Sequence, residues 1–333
     1  NERIVTTLIG TIINCLIINI MKLIHKNEYN AHWFTIKTNS GLNVCLCNIG
    51  ASVFKIKYKD IDCLYAPKTK KDFINSFLFC GKTLGRVACR LHNPIFIDNK
   101  KYELPVSDNS NIFLHSGNEK SLSYDPFEYE VNWSKNKDTL NIEFKYIEKD
   151  LVRGFPGNCA IKIIYQFNDN LDSFKIIFDA VSDKKTYINL SNHMYFNFNN
   201  DVDLSRYFIK CNVNKHGLTN KELLIVDNQK IPEYLTFDGK QSIKEQIELI
   251  YPKTFDDLLI FDNSKSNQNL IDIKNDDIEL KIKTTFPAFN YFIYDNKFIA
   301  IEPQKNNFLV DSITYDKNQR FLYESIYELK KLR

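Results

Sequence analysis

Residues 187–198 read YINLSNHMYFNF, and taken two at a time the stretch divides cleanly. Ile188, Leu190, Met194, Phe196 and Phe198 fall on one side, with Asn192 as the only polar member. Tyr187, Asn189, Ser191, His193, Tyr195 and Asn197 fall on the other. Period two marks a β-strand, because successive side chains point to opposite faces of the pleat. The apolar side predicts a place in a core. The other side offers amides, hydroxyls, aromatic rings and one imidazole, with no Lys, Arg, Asp or Glu. A solvated face normally carries charge. This one predicts the wall of a cleft for a neutral polyhydroxylated ligand, with amides and hydroxyls for its OH groups and flat rings for its C–H faces.

Outward from this stretch the sequence keeps reading as strands. Alternating or β-rich runs occupy 43–47, 52–58, 127–133, 140–147, 160–167, 173–180, 205–213, 278–284, 289–294, 298–302 and 321–329. Turn clusters such as Asn168-Asp169-Asn170 separate several of them. Helical pattern is confined to 70–78 and 241–250. Many short strands with no interior linker, composition shift or fixed repeat predict one large, mainly β domain: an antiparallel β-sandwich or barrel over 21–333.

The composition of the 333 residues is that of an ordinary globular chain, 44% apolar and 26% charged. Its 44 basic and 41 acidic residues leave +3, spread without a polybasic block, which argues against nucleic acid or an anionic membrane surface as partner. The cysteines at 15, 45, 47, 63, 80, 89, 159 and 211 show no framework spacing and read as reduced core thiols of a cytoplasmic protein. Cys45 and Cys47 share a strand face but have no His or Cys partner at metal-binding spacing, so no metal is expected.

Residues 4–21, IVTTLIGTIINCLIINIM, form an uncharged run with twelve apolar members. Its length suits a membrane anchor or a signal-peptide core. Its apolar residues also recur at helical spacing, as on an amphipathic surface helix. The chain opens on Asn, and we read Met21 as the start, with 1–20 an upstream extension. Membrane contact is expected only if 4–21 is an anchor.

Six histidines are few enough to take singly. His25, His32 and His216 sit in polar contexts and are expected at the surface. His92, in the RLHNP turn, is expected to be structural. His115 ends the apolar triplet of NIFLHSG just before Ser116-Gly117, where a strand turns over and can face a cleft. His193 lies mid-way along the polar and aromatic face. Glu302 interrupts the apolar strand in FIAIEPQ, followed by Pro303 and Gln304. A buried carboxylate is rare unless paired, and burial would raise its pKa into the range of a base working near neutrality. Arg86 and Arg90 are two of only seven arginines; close together in GKTLGRVACRL, they predict specific hydrogen bonding. The two glycines there lack a phosphate-loop context.

With these residues in hand, the chain resembles the aldose 1-epimerase (galactose mutarotase) family from about Trp33 to Leu329. Seven motifs carry the resemblance in order: NVCLCNIGASVFKIKYKD, GKTLGRVACRLHNPIF, NIFLHSG, RGFPGN, INLSNHMYFNF, TFDDLLIF and FIAIEPQ. INLSNHMYFNF is the most specific. The resemblance implies a mostly antiparallel β-supersandwich, no cofactor, and interconversion of the α and β anomers of free aldohexoses by a monomer or homodimer. Carried over by position, Glu302 corresponds to the general base and His193 to the general acid that protonates the ring oxygen. His115 and Arg90 correspond to groups that orient sugar oxygens, and Asp256 to a carboxylate that binds ring hydroxyls. Asn290, Tyr195 and Gln304 complete the expected substrate-binding set.

Cys89 stands where the family usually has Asn, Asn290 where many members have Gln, and Lys230-Ile231-Pro232-Glu233 where a Pro-Thr-Gly loop is common. Asp257 replaces a His and is expected to add negative charge beside Asp256. These departures bear on sugar preference. They also motivate two alternatives: a catalytically inactive sugar-binding protein on this scaffold, and a hexose-6-phosphate 1-epimerase, which would need a basic cluster at the cleft.

Overall fold

The computed structural model describes residues 3–4 and 21–333, apart from 107–110, 118–119, 137, 263 and 265–268. The apolar run 4–21 lies almost wholly outside the described residues. Among those described, no helix is long and apolar enough to cross a membrane.

Three antiparallel sheets make the body. An N-terminal meander takes Lys22–Glu28, Ala31–Lys37, Leu42–Cys47 and Ser52–Tyr58 in sequence order, with two-residue strands at either edge. A nine-stranded sheet includes Glu128–Trp133, Thr139–Glu148, Cys159–Asn168, Ser173–Ser182, Arg320–Lys331 and Ile278–Thr284 as neighbours. A seven-stranded sheet runs in the order Ile225–Lys230, Val213–Thr219, Asp256–Phe261, Ala288–Tyr294, Phe298–Gln304, Tyr195–Phe196 and Leu64–Tyr65. The architecture is the large antiparallel β-supersandwich anticipated from the sequence.

Alternation explains how the sheets pack. In Cys159–Asn168 the residues Cys159, Ile161, Ile163, Tyr165 and Phe167 point inward, and register sets Phe144 opposite Ile163 and Ile142 opposite Tyr165. Inward side chains of this sheet meet Val44, Leu46 and Ile56 of the meander and Leu259, Tyr291, Ile293, Ile299 and Ile301 of the seven-stranded sheet. Each large apolar side chain so buried contributes about 1.5–3 kcal/mol before entropy is counted. The consequence for function is geometric. With Ile299 and Ile301 committed to the core, Ala300, Glu302 and Gln304 must face the other side of the seven-stranded sheet.

Most predicted strands appear within a residue or two of their expected ends, but several expectations need correction. The stretch 187–198 is not one strand. It changes partner three times: Thr186–Tyr187 pairs with Thr314–Tyr315, Ser191–Asn192 with Thr83–Leu84, and Tyr195–Phe196 inserts between Phe298–Gln304 and Leu64–Tyr65. The run 205–213 divides between two sheets, as Phe208–Cys211 and Val213–Thr219. The first helix stops at Asn75, after an N-cap in which Thr69 Oγ1 accepts the Asp72 N–H; the second begins at Ile243 behind a Ser242–Glu245 capping box. RLHNP is not a turn, because Arg90–His92 pairs with Ile112–Leu114 and leaves His92 exposed. Nor are the other three histidines free at the surface. His25 stacks on Phe34 with Nε2 3.1 Å from His32 Nδ1, and His216 Nδ1 lies 3.7 Å from Asp257 Oδ1.

Candidate active site

Glu302 sits opposite Asn290 in the strand pair Ala288–Tyr294 and Phe298–Gln304, while Ala300 is opposite both Phe292 and Tyr195. The same register sets Asp256 opposite Phe292. Glu302, Asn290, Asp256, Tyr195 and Gln304 therefore share the face turned away from the core. Asp257 is opposite Tyr291 and belongs to the core-side face, where it meets His216. The expected charge beside Asp256 is overturned by the two-residue period of the strand.

His193 enters from a backbone clamp. Its N–H donates to Lys82 O at 2.9 Å, and its carbonyl accepts from Gly81 N at 2.7 Å. Gly81 has φ +63°, and a Cβ there would lie 1.9 Å from Val53 O, so only glycine fits. Asn192, the polar residue on the apolar side, donates from Nδ2 to Gly81 O at 3.0 Å and holds the same clamp. The rest of the polar side corrects the idea of a continuous cleft wall. Ser191 Oγ donates to Pro303 O, and Asn189 exchanges hydrogen bonds with the Lys305 backbone. Those amides and hydroxyls stitch the histidine segment to the main chain just beyond Glu302. Only His193 and Tyr195 of that side face the site.

His115 and Cys89 hold each other. The Cys89 N–H donates to His115 Nδ1 at 3.2 Å, and the His115 N–H donates to Cys89 O at 3.1 Å. A ring whose Nδ1 accepts carries its proton on Nε2, so His115 presents a donor to the site. Ligand atoms of His115, His193 and Glu302 all lie within 4.8 Å of one another. A metal-bound imidazole needs the reverse arrangement, donating from the nitrogen away from the metal, so this set does not fit a divalent ion.

The catalytic candidates are in direct contact: His193 Nε2 lies 3.4 Å from Glu302 Oε1. Asn290 Nδ2 donates to Asp256 Oδ1 at 3.1 Å and to Glu302 Oε1 at 3.5 Å. Arg90 Nη1 donates to Asp256 Oδ2 at 2.9 Å, and Gln304 Nε2 to Cys89 Sγ at 3.0 Å. His193 Nδ1, Glu302 Oε2 and Gln304 Oε1 are buried with no hydrogen-bond partner. Burial, reinforced by the Asp256 charge, pushes the Glu302 carboxyl up to about 8, while Asn290 and Arg90 oppose the rise. Burial pushes the His193 imidazole down to about 4, against its backbone hydrogen bond and Asp256. Burial, then His193 and Arg90, hold His115 well below its ordinary value, so it stays neutral.

All eight residues expected at the site thus come together. Two aromatic neighbours were not anticipated. The Phe79 ring is 5.1 Å from His115 and 6.5 Å from His193, and Phe292 is 6.2 Å from His193. Phe292 could have been found from its two-residue offset from Asn290. Phe79 could not, since it lies past the end of the first helix at φ +55°. Arg86 is structural: fully buried, it is ion-paired with Glu148 and donates to Pro156 O and Gly157 O of the RGFPGN loop.

The family model for aldose 1-epimerase matches residues 32–316. The bifunctional protein gal10 of Schizosaccharomyces pombe is 25% identical over 299 residues, covering 81% of this chain and 39% of that protein. The aldose 1-epimerase of Streptococcus thermophilus is 30% identical over 165 residues, 48% of this chain and 45% of its own. The chain thus spans less than half the length of these two relatives. Among solved structures, a galactose 1-epimerase from Lactobacillus acidophilus superposes with a TM-score of 0.81 at 18% identity, covering 94% of this chain and 99% of that one. A GalM/aldose epimerase homologue from C. elegans gives 0.77 at 22% identity, with 91% and 100% covered. The sequence motifs, the supersandwich and the family match agree, and the chain belongs to the aldose 1-epimerase family.

Proposed function

We propose that this protein interconverts the α and β anomers of free aldohexoses, with Glu302 as base and His193 as acid. The observation that carries the reading is the contact between a carboxyl pushed up to about 8 and an imidazole pushed down to about 4, each keeping one unpartnered buried atom. Near neutrality the pair holds one proton, resting on Glu302. Its transfer across the 3.4 Å from Oε1 to Nε2 creates the carboxylate and the imidazolium the reaction needs. Glu302 Oε2 then takes the proton of the anomeric hydroxyl as the bond from C1 to the ring oxygen breaks. His193 gives its proton to that oxygen, leaving a free aldehyde and a neutral pair. Rotation about C1–C2 and reversal of the transfers on the other carbonyl face yield the opposite anomer. Each positioned group contributes about 10²–10⁴-fold.

Around this pair, His115 donates from Nε2 to a sugar oxygen, Asp256 and Arg90 bind hydroxyls, and Gln304 Oε1 accepts from one. Tyr195, its ring 4.7 Å from His193, covers an apolar sugar face. Asn290 acts on the base: by holding Oε1 it leaves Oε2 for the substrate. The reading includes a single domain over 21–333 and a reducing, cytoplasmic setting, supported by seven free cysteines among the described residues. A phosphosugar substrate is disfavoured because Arg90, the cation beside the pair, is already paired with Asp256. Polarimetry with α-D-glucose and α-D-galactose tests the proposal: the purified protein accelerates the approach to equilibrium.

A further inference from the structure

The face that carries Glu302 does not end at the catalytic pair. Moving along the paired strands by twos, the row of Asn290 and Glu302 is followed by Phe292 with Ala300, then by Tyr294 with Phe298. Tyr195 and Tyr65 continue those rows on the neighbouring strands. The rings form a connected series: Phe292 and Tyr294 are 6.4 Å apart, Tyr294 and Phe298 6.2 Å and within 20° of parallel, Phe298 and Tyr65 3.9 Å and within 18°. Phe292, Tyr294, Phe298 and Tyr65 are only partly buried, unlike the aromatic residues of the main core.

A mere packing patch needs no polar groups, yet this ledge has three tyrosines. Among the described residues the hydroxyls of Tyr65, Tyr195 and Tyr294 have no hydrogen-bond partner, although Tyr195 is only 2% exposed. Flat rings with free hydroxyls and no ammonium or carboxylate between them suit the faces and OH groups of pyranose rings. At about 3.4 Å per strand residue, Phe292 lies about 7 Å and Tyr294 about 14 Å from the row of Glu302. Those steps place one ring, then a second, beyond a sugar held at the catalytic pair.

We infer that the ledge of Phe292, Tyr294, Phe298 and Tyr65 is a binding subsite for the further rings of a reducing oligosaccharide of two to three neutral hexose units, whose reducing end lies at Glu302 and His193. The inference rests on the mutarotase reading for what happens at the reducing end, but the ledge can be tested without turnover.

The experiment compares glucose, maltose and maltotriose in mutarotation assays, and measures maltotriose binding by calorimetry on the Glu302→Gln protein. The expected result is a lower KM for maltotriose than for glucose. Tyr294→Ala should raise the maltotriose KM roughly threefold to tenfold, the worth of one aromatic contact, with glucose kinetics unchanged. Tyr294→Trp, which keeps the platform, should preserve the preference and guards against a folding defect. Equal KM values for glucose and maltotriose in the wild type, or equal effects of Tyr294→Ala on both sugars, would overturn the inference. If no sugar is turned over, the mutarotase reading fails. Calorimetry then decides the ledge: maltotriose binding weakened by Tyr294→Ala sustains it, and no such binding ends it.

Discussion

His193 Nε2 and Glu302 Oε1 face each other at 3.4 Å, both buried, in a site where burial raises one group and lowers the other. Two groups this close titrate as a pair, so the active form is the one with a single proton. Below about 4 the pair gains a second proton and loses its base; above about 8 it has none and loses its acid. The expected pH profile of kcat/KM for α-D-glucose is a bell with limbs near those two values, falling about tenfold per pH unit outside them. A rate that keeps rising through pH 9 would contradict the pairing.

The same shift has a consequence for stability. The Glu302 carboxyl is raised from 4.5 to about 8 on folding, so the folded state holds a proton that the unfolded state releases. The stability tied to that proton is complete below 4.5 and is lost as pH rises through about 8. Glu302→Gln removes this dependence. Its urea midpoint, compared with that of the wild type, should gain with each pH unit between 5 and 8, by a few kcal/mol in total. A constant difference between the two proteins across that range would rule the account out.

Gly81 tests the clamp on His193. Gly81→Ala puts a Cβ 1.9 Å from Val53 O at φ +63°, so the backbone that hydrogen-bonds the His193 carbonyl must move. We expect destabilisation of about 2 kcal/mol or more in urea unfolding. In protein that remains folded, kcat should fall, because the acid is displaced from the carboxyl.

Arg86 marks a different kind of importance. It is fully buried with Glu148, and the guanidinium also anchors Pro156 and Gly157. Arg86→Met leaves an unpaired buried carboxylate and should cost about 3–5 kcal/mol. The double change Arg86→Met, Glu148→Met should recover part of the loss, as a double-mutant cycle in urea would show.

Much of this was legible in the sequence because period two is a local property. It placed the strands, and it set Glu302 apart as the one carboxylate in an apolar strand. The segment around His193 was harder. Its alternation was correct, yet alternation cannot show that the chain changes partner three times, or that Asn189 and Ser191 bind the backbone beyond Glu302. Phe79 was invisible, since its position depends on a left-handed residue in a loop. Asp257 was misjudged by treating adjacency in sequence as adjacency in space, which a strand forbids.

The most direct test of the central claim is the mutarotation rate of Glu302→Gln, measured by polarimetry beside sugar binding to the same protein by calorimetry. The account predicts that the amide still binds hexose but lowers kcat by about 10²–10⁴-fold, the worth of one well-placed base. A Glu302→Gln protein that binds sugar and keeps the wild-type rate would contradict it.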